Sequence, residues 1–140
     1  MKNLFFILLV FLASQYTASQ EKEDIMLQIE VNVTKYDKGK IYLALYDDEE
    51  HYMKKTYMSS SEEVEDHKVT IIFKGLKKGE YAFSLFHDVN SNGKLDNNFF
   101  GIPKEPYGFS NHQKGRFGPP KFDKVKFTVK ENTHQKVTIK

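Results

Sequence analysis

Residues 25–34 read IMLQIEVNVT, and their alternation decides the fold. Leu27, Ile29, Val31 and Val33 share one face; Gln28, Glu30, Asn32 and Thr34 share the other. A period of two is that of a strand with one buried and one wet face. The period returns in KIYLALYD (40–47) through Ile41, Leu43 and Leu45. It recurs through Val69, Ile71 and Phe73, and again through Tyr81, Phe83 and Leu85. Near the C-terminal end KVKFTVKENTHQKVTIK gives two more strands, through Val125, Phe127 and Val129 and then Val137 and Ile139, with KENTH as the turn between them. The residues KYDKGK between the first two runs carry Gly39, which predicts a hairpin there. Six or seven short strands and almost no helical period predict an all-β, single-domain antiparallel β-sandwich of about seven strands with one long ordered loop.

The composition bounds what such a domain does. Of 140 residues, 39% are hydrophobic and 29% charged, which suits a globular domain rather than a disordered chain. A net charge of +2 lacks the dense basic stripe that nucleic acid demands, so no nucleic-acid partner is expected. The first residues follow the three-part pattern of a secretory signal: Lys2, an apolar run from Leu4 to Ala13, then small residues including Thr17 and Ser19. The run is short of the roughly 20 residues a spanning helix needs. Residues 1–19 are therefore expected to be a signal peptide and residues 20–140 the folded domain. The product is expected to be exported, periplasmic or extracellular, monomeric, and without a membrane span after cleavage. The chain has no cysteine, so it has no disulfide and relies on its core or on a bound ion.

Two stretches break the strand period. Residues 47–67 are polar and acidic at both ends, and read as a long solvated connection with room for a short helix around Glu49–Tyr57. Residues 88–123 hold all four prolines and five of the eight glycines. They also hold Phe99, Phe100, Tyr107, Phe109, Phe117 and Phe122. A long irregular stretch inside a compact domain is either functional or disordered. Disordered linkers are poor in aromatics, so an ordered loop with its rings packed on the sandwich is expected.

That loop begins DVNSNGKLD (88–96). In a helix-loop-helix calcium loop, ligands come from positions 1, 3, 5, 7 (a carbonyl), 9 and 12, with glycine at 6. Asp88, Asn90 and Asn92 take positions 1, 3 and 5; Gly93 takes 6, Lys94 offers the carbonyl of 7, and Asp96 takes 9. Position 12 is Phe99, which cannot ligate. The stretch is a truncated loop with calcium as the candidate ion. Two carboxylates imply a dissociation constant of ~10⁻⁴–10⁻³ M, hence about 1.4 kcal/mol of stabilisation at millimolar calcium and the tight end of that range. The same residues also make a metal-free Asx-rich turn.

Residues 76–129 carry three longer motifs: HDVNSNGKLD (87–96), GIPKEPYGFSN (101–111) and FGPPKF (117–122). Together they strongly resemble an exported bacterial family, domain of unknown function 2141. The resemblance implies a secreted or periplasmic β-sandwich and brings no activity with it. LKKGEYAFSL (76–85) is also similar to sandwich modules of the prealbumin and carboxypeptidase-regulatory type, an analogy of fold alone.

The polar groups available for catalysis are His87, Asp88, Asp96, Glu105, His112 and Asp123. His87 and Asp88 adjoin on a strand and point to opposite faces, so they do not form a base and its orienter. His87 shares its face with Tyr81, Phe83 and Leu85 and reads as a packed rim histidine. No enzyme is expected. Tyr107, Phe109, Asn111, His112 and Arg116 mix rings with polar groups and are the candidates for binding a glycan, a peptide or a cell-envelope protein. The competing reading is a self-packed loop with Phe109 and Phe117 tucked beneath it.

Overall fold

The computed structural model describes residues 24–140; the expected signal peptide, 1–19, lies outside the described residues. Besides a 3-10 turn (Ser110–His112), eight strands and one short α-helix follow in chain order. They are β1 (Ile25–Val33), β2 (Lys40–Tyr46), β3 (Met58–Glu63), β4 (Lys68–Leu76), β5 (Gly79–Asp88), β6 (Tyr107–Phe109), α1 (Phe122–Val125), β7 (Phe127–Val129) and β8 (Thr133–Ile139). They make a three-stranded sheet, β4-β1-β8, and a five-stranded sheet, β3-β2-β5-β6, with β7 paired to the start of β5. The alternating residues of β1, β2, β4 and β5 meet between the sheets in one apolar core, with Leu27, Ile29, Ile41, Leu45 and Phe83 all but fully buried. Each such side chain contributes about 1.5–3 kcal/mol by leaving water. The expected β-sandwich is present.

Four local expectations are corrected. β1 and β2 do not form a hairpin: β1 pairs with β4 and β8, and β2 with β3 and β5. Alternation assigns a face, not a neighbour, and the Gly39 turn carries the chain from one sheet to the other. β1 and β8 run parallel, the one exception to antiparallel pairing. The 47–67 stretch contains edge strand β3, whose MSSSEE sequence has no apolar alternation because neither face enters the core fully. Residues 49–55 form turns closed by the His51 carbonyl, which accepts from the N–H groups of Lys54 and Lys55, rather than a helix.

A second cluster lies on the outer face of the five-stranded sheet, where Phe109, Phe122 and Val125 cover Ala82 and pack against Tyr52. Ser110 joins these pieces: its hydroxyl donates to the Val125 carbonyl and accepts from the Phe83 N–H. The Tyr52 hydroxyl is buried there without a hydrogen-bond partner among the described residues. Burial, and after it the neighbouring Tyr46, pushes this phenol up to about 12 from 10.0. A raised phenol contributes stability that is whole below the unfolded value and is lost as pH climbs through the folded one. Stability should therefore fall between pH 10 and 12, and Tyr52→Phe should flatten that limb in unfolding measurements across it. At neutral pH the same substitution should be neutral or slightly stabilising, because it deletes a hydroxyl that nothing satisfies.

Candidate functional site

The loop of residues 88–105 leaves β5 and returns toward β6. Asp88, fully buried, ends the strand and turns its carboxylate onto the following backbone. One oxygen accepts the Asn92 N–H at 3.1 Å and the other the Gly93 N–H at 2.7 Å. Ser91 (φ 58°) and Gly93 (φ 78°) supply the left-handed turns that aim those N–H groups inward. Asn90 and Asn92 each accept an N–H two residues on, from Asn92 and Lys94. Their amide nitrogens converge on Asp96, at 2.6 Å from Asn90 and 3.1 Å from Asn92.

The loop is closed from a distance. Glu105, 9% exposed, spreads its two oxygens over the Val89 N–H (2.9 Å) and the Asp96 N–H (3.0 Å). The Lys104 N–H adds a bond to the Asp96 carbonyl. Four of the five expected metal residues, Asp88, Asn90, Asn92 and Asp96, are thus brought into one network, and Lys94 joins through its N–H rather than its carbonyl. Sequence spacing missed Glu105 as a loop residue because its role is set by tertiary return. Its only signal is a carboxylate between two prolines, Pro103 and Pro106, in a stretch that must turn back.

An ion has a stated cost here. Calcium takes 6–8 oxygens at about 2.3–2.6 Å. The Asp88 oxygens and both asparagine Oδ1 atoms already accept N–H groups, and the amide nitrogens face Asp96. Each oxygen keeps a second lone pair, so a cation beside Asp96 requires the two amides to turn their oxygens toward it.

A different acidic group stands at Asp47, Asp48 and His51, whose ligand atoms lie within 4.8 Å of one another. Asp48 caps the turn, accepting the His51 N–H at 2.7 Å and facing the imidazole at 2.8 Å. The His51 backbone bond, then its ring, hold this carboxyl below the usual carboxylate range.

The expected binding residues separate. Phe109 is buried, and Asn111 uses its amide to bond the Lys126 carbonyl at 2.8 Å; both hold β6 against α1. Arg116 is exposed. Phe117 is fully exposed rather than tucked beneath the loop. His87 is fully buried; its Nε2–H donates to the Lys38 carbonyl at 2.6 Å, which puts it out of reach of any substrate.

Tyr107 remains, and it marks the border of two cavities. One, of about 620 Å³, lies along the uncovered part of the outer face of the five-stranded sheet. Its floor is Tyr42 stacked on Phe86, 5.1 Å apart and 8° from parallel. Leu95 from the Asp88 loop and Met53 also line it, Ser59, Ser61 and Ser84 add hydroxyls, and no charged side chain is among its lining residues. The other, of about 530 Å³, is cationic: Lys35, Lys104, Lys114, Lys140 and His112 line it. Its one acid, Glu105, is occupied by the loop it closes.

The family described as an uncharacterized protein conserved in bacteria, domain of unknown function 2141, matches residues 29–138. The chain belongs to this family. The match runs from within β1 to within β8, so it takes in strands of both sheets, the Asp88–Asp96 loop and the uncharged groove. No curated protein and no solved structure matches the chain.

Proposed function

We propose that this family member is a non-enzymatic, exported binding domain that holds a neutral glycan on the outer face of its five-stranded sheet. The observation that carries the reading is the uncharged groove floored by the Tyr42–Phe86 stack. In a chain that is 29% charged, a groove of this size without a charge selects an uncharged ligand. Aromatic side chains with a few hydroxyls beside them suit a sugar, whose C–H groups pack against the rings while its hydroxyls find partners. Retention on immobilised neutral polysaccharides tests this. Binding should fall at least about tenfold on Tyr42→Ala or Phe86→Ala, the loss of roughly 1.4 kcal/mol of stacking. Retention that ignores both substitutions would remove the groove from consideration.

A calcium ion in the Asp88–Asp96 loop is the second reading: the loop gathers the side chains of Asp88, Asn90, Asn92 and Asp96, and turning the two amides would present their oxygens beside the Asp96 carboxylate. Leu95 of the same loop lines the groove, so an ion there would stiffen one wall of the binding face. Millimolar calcium should raise the melting temperature by about 5 °C, and Asp96→Asn should abolish the increment. A melting temperature indifferent to calcium would leave the loop as a metal-free turn.

A further inference from the structure

The most exposed large apolar side chains among the described residues are not in the groove. Phe99 is 97% and Phe100 82% exposed, Ile102 is more than half exposed, and Phe117 is fully so. Isolated exposed apolar residues are ordinary, but a group of large ones marks an interaction surface. The first three ride on a built turn rather than a loose one. Asn98 Oδ1 accepts the Phe100 and Ile102 N–H groups at 2.9 and 3.0 Å, and the Asn98 N–H donates to the Ile102 carbonyl at 2.8 Å. Gly101 at φ 76° completes the turn, and the Phe99 and Phe100 rings meet edge to face at 5.5 Å. Beneath the turn, Asp88 and Glu105 fix the loop to the sheet. A rigid tip of this kind loses little further freedom when it is buried in something else.

The second tip arises beside the first. Pro103 and Lys104, at the base of the Phe99–Ile102 turn, and Lys114 and Gly115, at the base of the Phe117 turn, line the same cationic cleft. Residues 89–122 carry Lys94, Lys104, Lys114, Arg116 and Lys121 against only Asp96 and Glu105. Both acids are already engaged, Asp96 by asparagine amides and Glu105 by backbone N–H groups. Lys104 and Lys114 take part in no ion pair among the described residues. Apolar tips with free cations behind them are the arrangement that enters the headgroup layer of an anionic membrane: rings reach the acyl boundary while ammonium groups meet phosphates.

We propose that the two tips, Phe99–Ile102 and Phe117, seat this domain on an anionic lipid surface, with Lys104 and Lys114 against the phosphates. The site is separate from the glycan groove, and either can stand without the other. The chain contains no tryptophan, so a single introduced one reports its own position. Phe99→Trp in the full chain should shift its emission to the blue with vesicles of phosphatidylcholine and phosphatidylglycerol, and less with phosphatidylcholine alone. Because Leu4–Ala13 is itself apolar, total vesicle binding is not the readout; the local signal is. Ile72→Trp, on the outer face of the three-stranded sheet, is the control and should not shift. Adding Lys104→Glu and Lys114→Glu should weaken the Phe99→Trp response about tenfold, as should raised salt, while the melting temperature holds. A Phe99→Trp emission unchanged by anionic vesicles overturns the proposal, as it would if the tip were instead made to meet a protein. So does a shift that the control shares or that the glutamate pair leaves intact.

Discussion

Gly39→Ala should cost about 3–4 kcal/mol, seen as a fall in melting temperature of about 10–15 °C. Gly39 sits at φ 81°, where an L-residue is strained by about 1 kcal/mol. The larger part of the cost is steric. A methyl there would collide with the Asp88 carbonyl oxygen and stand 2.9 Å from the Val89 Cα. Both obstacles are backbone, held in place because Lys40 pairs with Asp88 in the sheet, so no side chain can swing aside. The crossover between the two sheets would have to lift from the end of β5, which also strains the bond from the Val64 N–H to the Gly39 carbonyl. Gly101→Ala supplies the internal reference. Its φ is 76°, but nothing lies within 4 Å of the added carbon, so only the backbone strain of about 1 kcal/mol should appear. Equal losses in the two variants would show that the close approach of Gly39 to Asp88 is not what matters.

Asp88→Ala should be nearly as costly, about 3 kcal/mol, through a different cause. Its carboxylate satisfies two N–H groups from a fully buried position, and charge-assisted bonds of this kind are worth about 1.5–3 kcal/mol each before the loop relaxes. Removing the side chain orphans the Gly93 N–H, leaves the Asn92 N–H to Asn90 Oδ1 alone, and releases the turn that Ser91 and Gly93 hold. Asp88→Asn keeps one acceptor and should lose about half as much. Amide hydrogen exchange locates the effect: Asn92 and Gly93 should lose protection while the β1–β4 ladder keeps it. Uniform loss across the domain would mean that Asp88 supports the core rather than the loop. Glu105→Gln is the companion variant, expected to loosen Val89 and Asp96 from the other end.

How much of this was readable in advance follows from what each signal encodes. Alternation gave the inward faces because Leu27, Val31, Leu43 and Phe83 each have to leave water on one side. It was silent on partners, since a strand's period is the same whether its neighbour is sequential or distant. The hairpin expected at Gly39 failed for that reason. β3 escaped notice because an edge strand facing solvent needs no apolar residues. The spacing of Asp88, Asn90, Asn92 and Asp96 was legible because Asx turns and metal loops share one short-range geometry. Glu105 was not, since it acts through a return of the chain that no local spacing announces. The groove had a signal that went unread: Tyr42 and Phe86 occupy outward positions on strands that pair with each other, and their Cα atoms are register partners. Phe117 defied expectation because burial was inferred from ring type alone.

The parallel pairing of β8 with β1 also governs the order in which this protein can become itself. β1 lies at the centre of its sheet, and one of its two partners is made of residues 133–139, at the far end of the described chain. β1 therefore stays half-paired until residues 133–139 are there to join it. Such distant pairings slow folding, into the millisecond-to-second range typical of all-β domains.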